Sequence, residues 1–380
     1  MRTSAVGRAV RVALVFVAAL GLSGCWDQRE IEERTSVVAI GIDRDEDDPK
    51  LISVSVQIPI PIKIAGSSGG GGSGDPVRVM SASGRTLIEA FNILQRRVNQ
   101  QLFYGHTRII AIGEDMAKSG LSDAMDAFRR DPQIRRLLWP IVVKGKAVEL
   151  LRSKPELEQI PTVFMMSLIQ NGARTGRIPD INLGKFYINL SSPSEHPFLN
   201  YMEAGATGVK WSGIAVFKGD RMIGVLDDQA TWSFMRIVER QNGGPIVFPF
   251  QGDEERLLSF TTDTTKAEES YKLENGRVRA KFVVSVEGDL IAKSFDTDFS
   301  DPRRIAELER AAAEHLEEEA RKLLATLQRE YDADILGVGS KLRAYHPRIW
   351  RQVRDTDYFA NADIVVEYDV KLRRTGMEME

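Results

Sequence analysis

Residues Glu269 to Gly288 read ESYKLENGRVRAKFVVSVEG: two strand-like runs meet at Asn275-Gly276. Asn-Gly supplies the two positive φ angles of a tight type I′ turn, so the spacing predicts a β-hairpin. An earlier hairpin is predicted from Gly213 to Leu226, where GIAVFK and RMIGVL join across Gly219-Asp220, and an amphipathic helix follows from Asp227 to Arg240. The strands of both hairpins are expected in one antiparallel sheet. After them comes the longest predicted helix, Pro302 to Glu330, roughly 43 Å long at 1.5 Å per residue. Asp301 is placed to cap it and Pro302 to occupy its first position, while Ile305, Leu308, Ala312, Leu316, Leu323 and Leu327 form an apolar stripe. Glu317 with Arg321, and Glu318 with Lys322, are spaced for ion pairs on the wet side. Alternation from Ala362 to Leu372 predicts a final strand.

The amino-terminal half mixes the two element types. Thr35 to Asp43 and Leu51 to Ile58 are β-branched and alternating, with the acidic DRDEDDP as the turn between them. Pro59 and Pro61 remove ladder donors and predict an extended edge segment, and the tract GSSGGGGSG reads as a flexible loop. Helices are predicted over Arg85 to Val98, Asp115 to Arg130, Ala147 to Leu151 and Ile160 to Ile169, and strands over His106 to Gly113 and Leu137 to Val143. From there to Asn200 the chain reads as a looser, glycine- and proline-punctuated stretch. Elements mix without the even alternation of a doubly wound parallel sheet, so the expected class is α+β, with mixed, largely antiparallel sheets and packed helices.

The first 24 residues have the layout of an export signal. Arg2, Arg8 and Arg11 precede the apolar run VALVFVAALGL, which is shorter than the ~20 residues that span a bilayer. The run ends in Leu22-Ser23-Gly24-Cys25, which is similar to a bacterial lipobox. Cleavage is expected between Gly24 and Cys25, with the Cys25 thiol carrying a diacylglyceryl group and the freed amine a further acyl chain such as palmitate. Residues 25–34 then form a short tether, reaching at most ~30 Å. Cys25 is the sole cysteine, so no intramolecular disulfide can form. The remaining 356 residues exceed what one core usually serves, and more than one domain is expected, divided here as 35–205 and 206–380. Of 51 basic and 54 acidic residues the signal removes three basic ones, leaving a formal charge of −6. That balance argues against nucleic acid, and it leaves the lipid as the main membrane attachment.

Catalytic patterns are sparse. His106, His196, His315 and His346 have no partners at metal-ligand spacing, and no nucleophile elbow, Ser-x-x-Lys element or dinucleotide fingerprint occurs. No cofactor, metal or catalytic residue is assigned. Trp211, Trp232 and Trp350 read either as half-buried core residues or as a ligand platform, and Met165-Met166 either as core or as a partner surface.

Several segments resemble the Ger(x)C lipoproteins, C subunits of nutrient germinant receptors in endospore-forming bacteria. At the front these are Gly24-Cys25-Trp26-Asp27-x-Arg29-Glu30-Ile31 and the strand ending Gly41-Ile42-Asp43; then Gly105-His106, Gly113-Glu114 and Asp131 to Arg135. Farther on are Gly213-x-Ala215-Val216-Phe217, Gly224-x-Leu226, and Asp334-x-Leu336-Gly337-x-Gly339 with Pro347 and Trp350. The glycine tract departs from the pattern, and Arg136 stands where an acidic residue is expected. The resemblance implies a three-domain α+β body without enzymatic activity, on the outer face of the spore's inner membrane. It implies as partners a multipass A subunit and a transporter-like B subunit. A solute-binding lipoprotein serving a transporter is the alternative reading, and a surface hydrolase a more distant one. Mass spectrometry of the mature protein is expected to find an acylated Cys25 at the amino terminus; an unmodified thiol there, or an intact Met1, would contradict the anchor.

Overall fold

In the computed structural model, residue 7 and residues 34–61, 75–205, 208–250, 252–295 and 301–374 are described. The strands are β1 (Arg34–Ser36), β2 (Ala39–Arg44), β3 (Ile52–Pro59), β4 (Val77–Gly84), β5 (Gln101–Phe103), β6 (Ile109–Gly113) and β7 (Trp139–Val143). They continue with β8 (Phe198–Gly205), β9 (Gly208–Lys218), β10 (Arg221–Leu226), β11 (Ile246–Phe250), β12 (Asp253–Glu274), β13 (Arg277–Lys293) and β14 (Asp363–Arg374). An eight-stranded sheet runs β10-β9-β8-β7-β6-β2-β3-β4, a four-stranded one runs β11-β12-β13-β14, and β1 pairs with β5. The larger sheet is antiparallel at both flanks and parallel through β2, β6, β7 and β8. The α+β class stands, with antiparallel pairing in the majority.

The described residues form two domains, against the three that the resemblance implies. β9 and β10, although they follow residue 206, pair onto β8 and complete the first sheet, while β1 and β5 are too short to enclose a core of their own. The second domain is the four-stranded sheet with the long helix across it.

Ten α-helices are described: α1 (Leu87–Gln95), α2 (Glu114–Ser119), α3 (Ser122–Arg130), α4 (Ala147–Arg152), α5 (Pro161–Arg174), α6 (Leu183–Leu190), α7 (Asp228–Phe234), α8 (Pro302–Ala325), α9 (Val338–Tyr345) and α10 (Pro347–Val353). The predicted helix from Asp115 to Arg130 is broken into α2 and α3, because Gly120 takes φ +117° between them. The β9–β10 turn supplies the missing cap: Asp220 Oδ2 accepts from the Ser122 amide at 3.1 Å and the Ser122 hydroxyl at 2.7 Å. The strand predicted from Thr35 splits into β1 and β2 because Val37 and Val38 donate to different partners, Phe103 and Gln57. Pro59 ends a central strand, β3, whose ladder to β4 runs to that residue, so the predicted edge segment is not an edge there. The glycine tract lies outside the described residues.

Asn275 (φ +52°) and Gly276 (φ +77°) make the expected turn, and the strands on either side extend over 22 and 17 residues. The earlier hairpin, β9 and β10, lies in the other sheet. Asp301 caps α8 by accepting from the Arg303 amide at 2.9 Å, and Leu308, Ala312, Leu316, Ala320, Leu323 and Leu324 are buried along it. Its end widens into a π-helical turn from Thr326 to Tyr331, with Leu327 buried. Glu317 does not pair with Arg321. Its Oε1 accepts the Tyr368 amide of β14 at 3.1 Å, and Glu309 accepts Leu372 at 2.9 Å, while Arg321 turns to Glu318. β14 is an edge strand, and two amides there that point away from β13 find their acceptors on the helix packed beside them.

Two buried carboxylates hold helices onto this frame. At the end of β2, Asp43 accepts from the Ala147 and Val148 amides at 2.7 and 3.0 Å and caps α4; burial raises its pKa despite those bonds. In the carboxy-terminal half, Asp334 accepts from Val338 at 3.2 Å, Gly339 at 2.8 Å and the Tyr358 hydroxyl at 3.0 Å, and so caps α9. Its neighbours come from the other half of the chain: the Asp334 amide donates to His196 Nδ1 at 3.0 Å, and the Ser340 hydroxyl donates to Glu195 at 2.8 Å. A Cβ at Gly339 would collide with the Tyr358 hydroxyl and sit 2.5 Å from the Ser194 carbonyl, so only glycine fits.

Asp334→Asn turns one acceptor into a donor aimed at backbone amides, and is expected to cost about 2–4 kcal/mol. Burial pushes Asp334 from an ordinary 3.8 up to about 6, so the folded protein holds this proton more tightly than the unfolded chain. The resulting stabilisation is fully present below about pH 4 and lost as pH rises through about 6. Urea melts of both proteins should therefore show the penalty of Asp334→Asn widening by roughly 3 kcal/mol on acidification across that window; a penalty that shrinks would contradict the assignment.

Candidate functional site

Gly24 and Cys25, the cleavage and lipidation positions, lie outside the described residues, as does Trp26. What is described is where the chain emerges from them. Arg34 opens β1, which pairs parallel with β5 in the register Arg34 with Gln101 and Ser36 with Phe103. The Arg34 guanidinium lies over the Phe103 ring, 4.9 Å from its centroid, and Ser36 bonds His106 Nδ1 at 3.1 Å. β2 follows at once, in register with β6 and β7 through Ala39, Ile109 and Trp139. The exit point is thus fixed to the edge of the body where three parallel strands begin.

The residue types with chemical potential are dispersed. His106 faces Phe103, His315 stacks on Phe248 with ring centroids 5.5 Å apart, His346 lies 5.7 Å from Tyr271, and His196 is held by Asp334. Burial and the nearby Lys218 charge lower the His196 pKa. Among the described residues no group of three or more His, Cys, Asp or Glu is placed to hold a metal ion. Among them, too, no helix is long and apolar enough to cross a membrane. Met165 is fully buried against Ala111, Ile141 and Leu150 on the second face of the large sheet, with Met166 half-buried beside it, so the methionine pair is core.

The tryptophans divide. Trp350 packs edge-on against Tyr358. Trp211 and Trp232, 21 positions apart, stack with centroids 6.5 Å apart and planes 25° from parallel. Each indole N–H is used internally, Trp211 to Asn200 Oδ1 at 3.0 Å and Trp232 to the Arg177 carbonyl at 2.9 Å, which fixes the rings and leaves their apolar surfaces toward a groove of about 540 Å³. Leu168 and Ile178 also line it, with Arg177 and Lys210 at its margin. Such a groove could take a small apolar or planar body. Its sequence signal was weak because the two rings come from different elements.

The glycines and aspartates of the resembling segments that lie among the described residues are structural. Gly113 leaves room for the Asp43 carboxylate, Gly224 for the Tyr331 ring, Gly213 (φ +120°) for the carbonyl of Leu226, and Gly339 for Tyr358. They keep helices and sheets in close contact; the described residues show no reaction centre built on them.

Comparison with known proteins follows the same division. A family model described as "Spore germination protein N-terminal domain" matches residues 27–204, and one described as "Spore germination B3/ GerAC like, C-terminal" matches residues 212–376. Spore germination protein KC of Bacillus subtilis is 28% identical, over 98% of this chain and 97% of its own. Spore germination protein A3 of the same organism is 25% identical, over 97% and 98%. The crystal structure of the GerBC protein superposes with a TM-score of 0.60 at 18% identity, over 88% of this chain and 96% of that one, and so shares the fold. With both halves matched in order and the frame shared, the chain belongs to the GerAC-like family of spore germination proteins.

Proposed function

We propose that this chain is the lipid-anchored, non-enzymatic C subunit of a nutrient germinant receptor, held on the outer face of the spore's inner membrane by a diacylglyceryl thioether at Cys25. The observation that carries this reading is the end-to-end match to germination proteins, joined to a lipobox nine residues before the first described strand. Its partners are a multipass A subunit and a transporter-like B subunit. Anchoring confines the body beside them in two dimensions, which raises its effective concentration without demanding strong pairwise affinity. The signature residues are spent on packing, which fits a subunit that works by contact.

A solute-binding lipoprotein is the second reading, and the Trp211–Trp232 groove is the observation in its favour. Proteins of that kind usually enclose their solute between two similar lobes, whereas the two domains here differ in sheet size and topology. Thermal shift across a panel of small nutrients separates the two readings: a strong ligand-dependent rise in the isolated protein would favour the solute binder.

Deletion of the gene is expected to abolish or severely slow germination triggered by the cognate nutrient. Replacing Cys25 by Ala behind a conventional export signal, at native abundance, is expected to slow it by about tenfold or more, through loss of effective concentration. Normal germination in the deletion strain would remove the receptor role; normal germination with the soluble form would remove the confinement argument.

A further inference from the structure

The net charge of the chain conceals how its charges are placed. Residues 90–113 and 132–148 contain no Asp or Glu, and both segments converge on the edge where the chain emerges toward Cys25. Their meeting is built from backbone contacts. The Arg108 amide donates to the Val38 carbonyl at 2.9 Å and the Trp139 amide to the Arg108 carbonyl at 2.8 Å, while Gln133 Oε1 accepts from the Tyr104 amide at 3.0 Å. Gln95, next to Arg96, bonds the carbonyl of Gln100 and the amide of Leu102 beside β1. Arg34, Arg96, Arg108, Arg135 and Arg136 therefore share one edge. The last four are exposed, and among the described residues none of those four forms an ion pair.

In the same row as Arg135 and Arg136, Leu137 is 75% exposed. At the opposite ends of the parallel strands β2 runs into Asp45, Glu46, Asp47 and Asp48 and β6 into Glu114 and Asp115, among which stand Arg44, Lys144 and Lys146, the last paired with Glu46. The strand starts thus gather arginines without ion-pair partners among the described residues, with Asp131 and Asp180 at their border, while the far end is a mixed surface on which acids outnumber bases.

We propose that this arginine edge is a docking surface for an anionic phospholipid bilayer, with Leu137 entering the headgroup layer, so that the protein stands on the membrane in one orientation. The inference rests on the reading of Cys25 as the anchor. The eight residues between the acylated position and Arg34 reach at most ~30 Å, so the edge they leave from stays near the lipid surface. Arginine side chains close to an anionic surface are attracted within a Debye length, ~8 Å at physiological salt. Guanidinium groups meet phosphate oxygens bidentately, and an apolar side chain among them adds burial at the interface. The far end, where acids outnumber bases, offers that surface no comparable attraction in a flipped pose. An acyl chain alone fixes distance; the arginines add direction.

The test uses the full lipidated protein reconstituted into phosphatidylcholine vesicles with or without phosphatidylglycerol. Flotation with the vesicles reports the anchor; protein that does not float would end the Cys25 reading and leave this one without its premise, a separate failure. With the Cys25 sulfur in a thioether, Leu137→Cys provides a single free thiol for a fluorescent label, and Glu46→Cys a matched label at the far end. The Leu137 label should be quenched by headgroup nitroxide lipids several-fold more in phosphatidylglycerol vesicles, and the difference should vanish at high salt; the Glu46 label should not respond. Exchanging Arg96, Arg108, Arg135 and Arg136 together for Glu should abolish the difference while flotation and melting temperature hold. Equal quenching at both labels, or quenching independent of phosphatidylglycerol, would overturn the proposal. So would the four-fold variant if it lost association with neighbouring receptor subunits but kept its lipid response, since the edge would then serve a protein.

Discussion

Placing a carboxylate where water cannot reach it is costly unless backbone amides stand in for the solvent, and this fold does so twice. Asp43 at the end of β2 and Asp334 before α9 each accept two consecutive helix-start amides. The first helix lies on the large sheet. The second is brought against Ser194 to His196, so that polar contacts join the two halves of the chain beside the apolar core they share. Around both carboxylates the chain uses glycine at close approaches, Gly113 beside Asp43 and Gly339 beside Tyr358. Apolar burial supplies the bulk of the stability, but these polar clusters decide which helix sits on which strand.

Local chemistry made much of this legible. The type I′ turn at Asn275-Gly276, the Asp301 cap and the stripe of the long helix are each settled by residues within one or two turns of one another. Elements whose identity depends on distant partners were not legible. β8 is buried on both faces from Phe198 to Met202, so it shows no alternation, and it was lost in the stretch read as loose, together with the two-turn helix α6. β11 was obscured by Pro249, which an outer strand tolerates. The pairing of β2, β6 and β7 joins segments separated by tens of residues, and nothing local specifies that order.

The candidate site divides in the same way. The lipobox reading of Cys25 rests on local sequence alone, whereas the Trp211–Trp232 groove and the arginine edge exist only after folding. A formal charge summed over the whole chain pointed away from any electrostatic role at a membrane. Strand topology changes that expectation, since parallel strands send all their leading ends to one side and all their trailing ends to the other. The character of a surface here follows from chain direction as much as from composition.

The glutamates of the long helix that satisfy amides of β14 have a further consequence, for self-association. An outer strand with unsatisfied donors would invite a neighbouring copy to zip onto it. With Glu309 and Glu317 already accepting the Leu372 and Tyr368 amides, and the long helix lying along that border, a second molecule meets spent hydrogen bonds there. That border of the sheet is therefore a poor template for strand addition by a second copy.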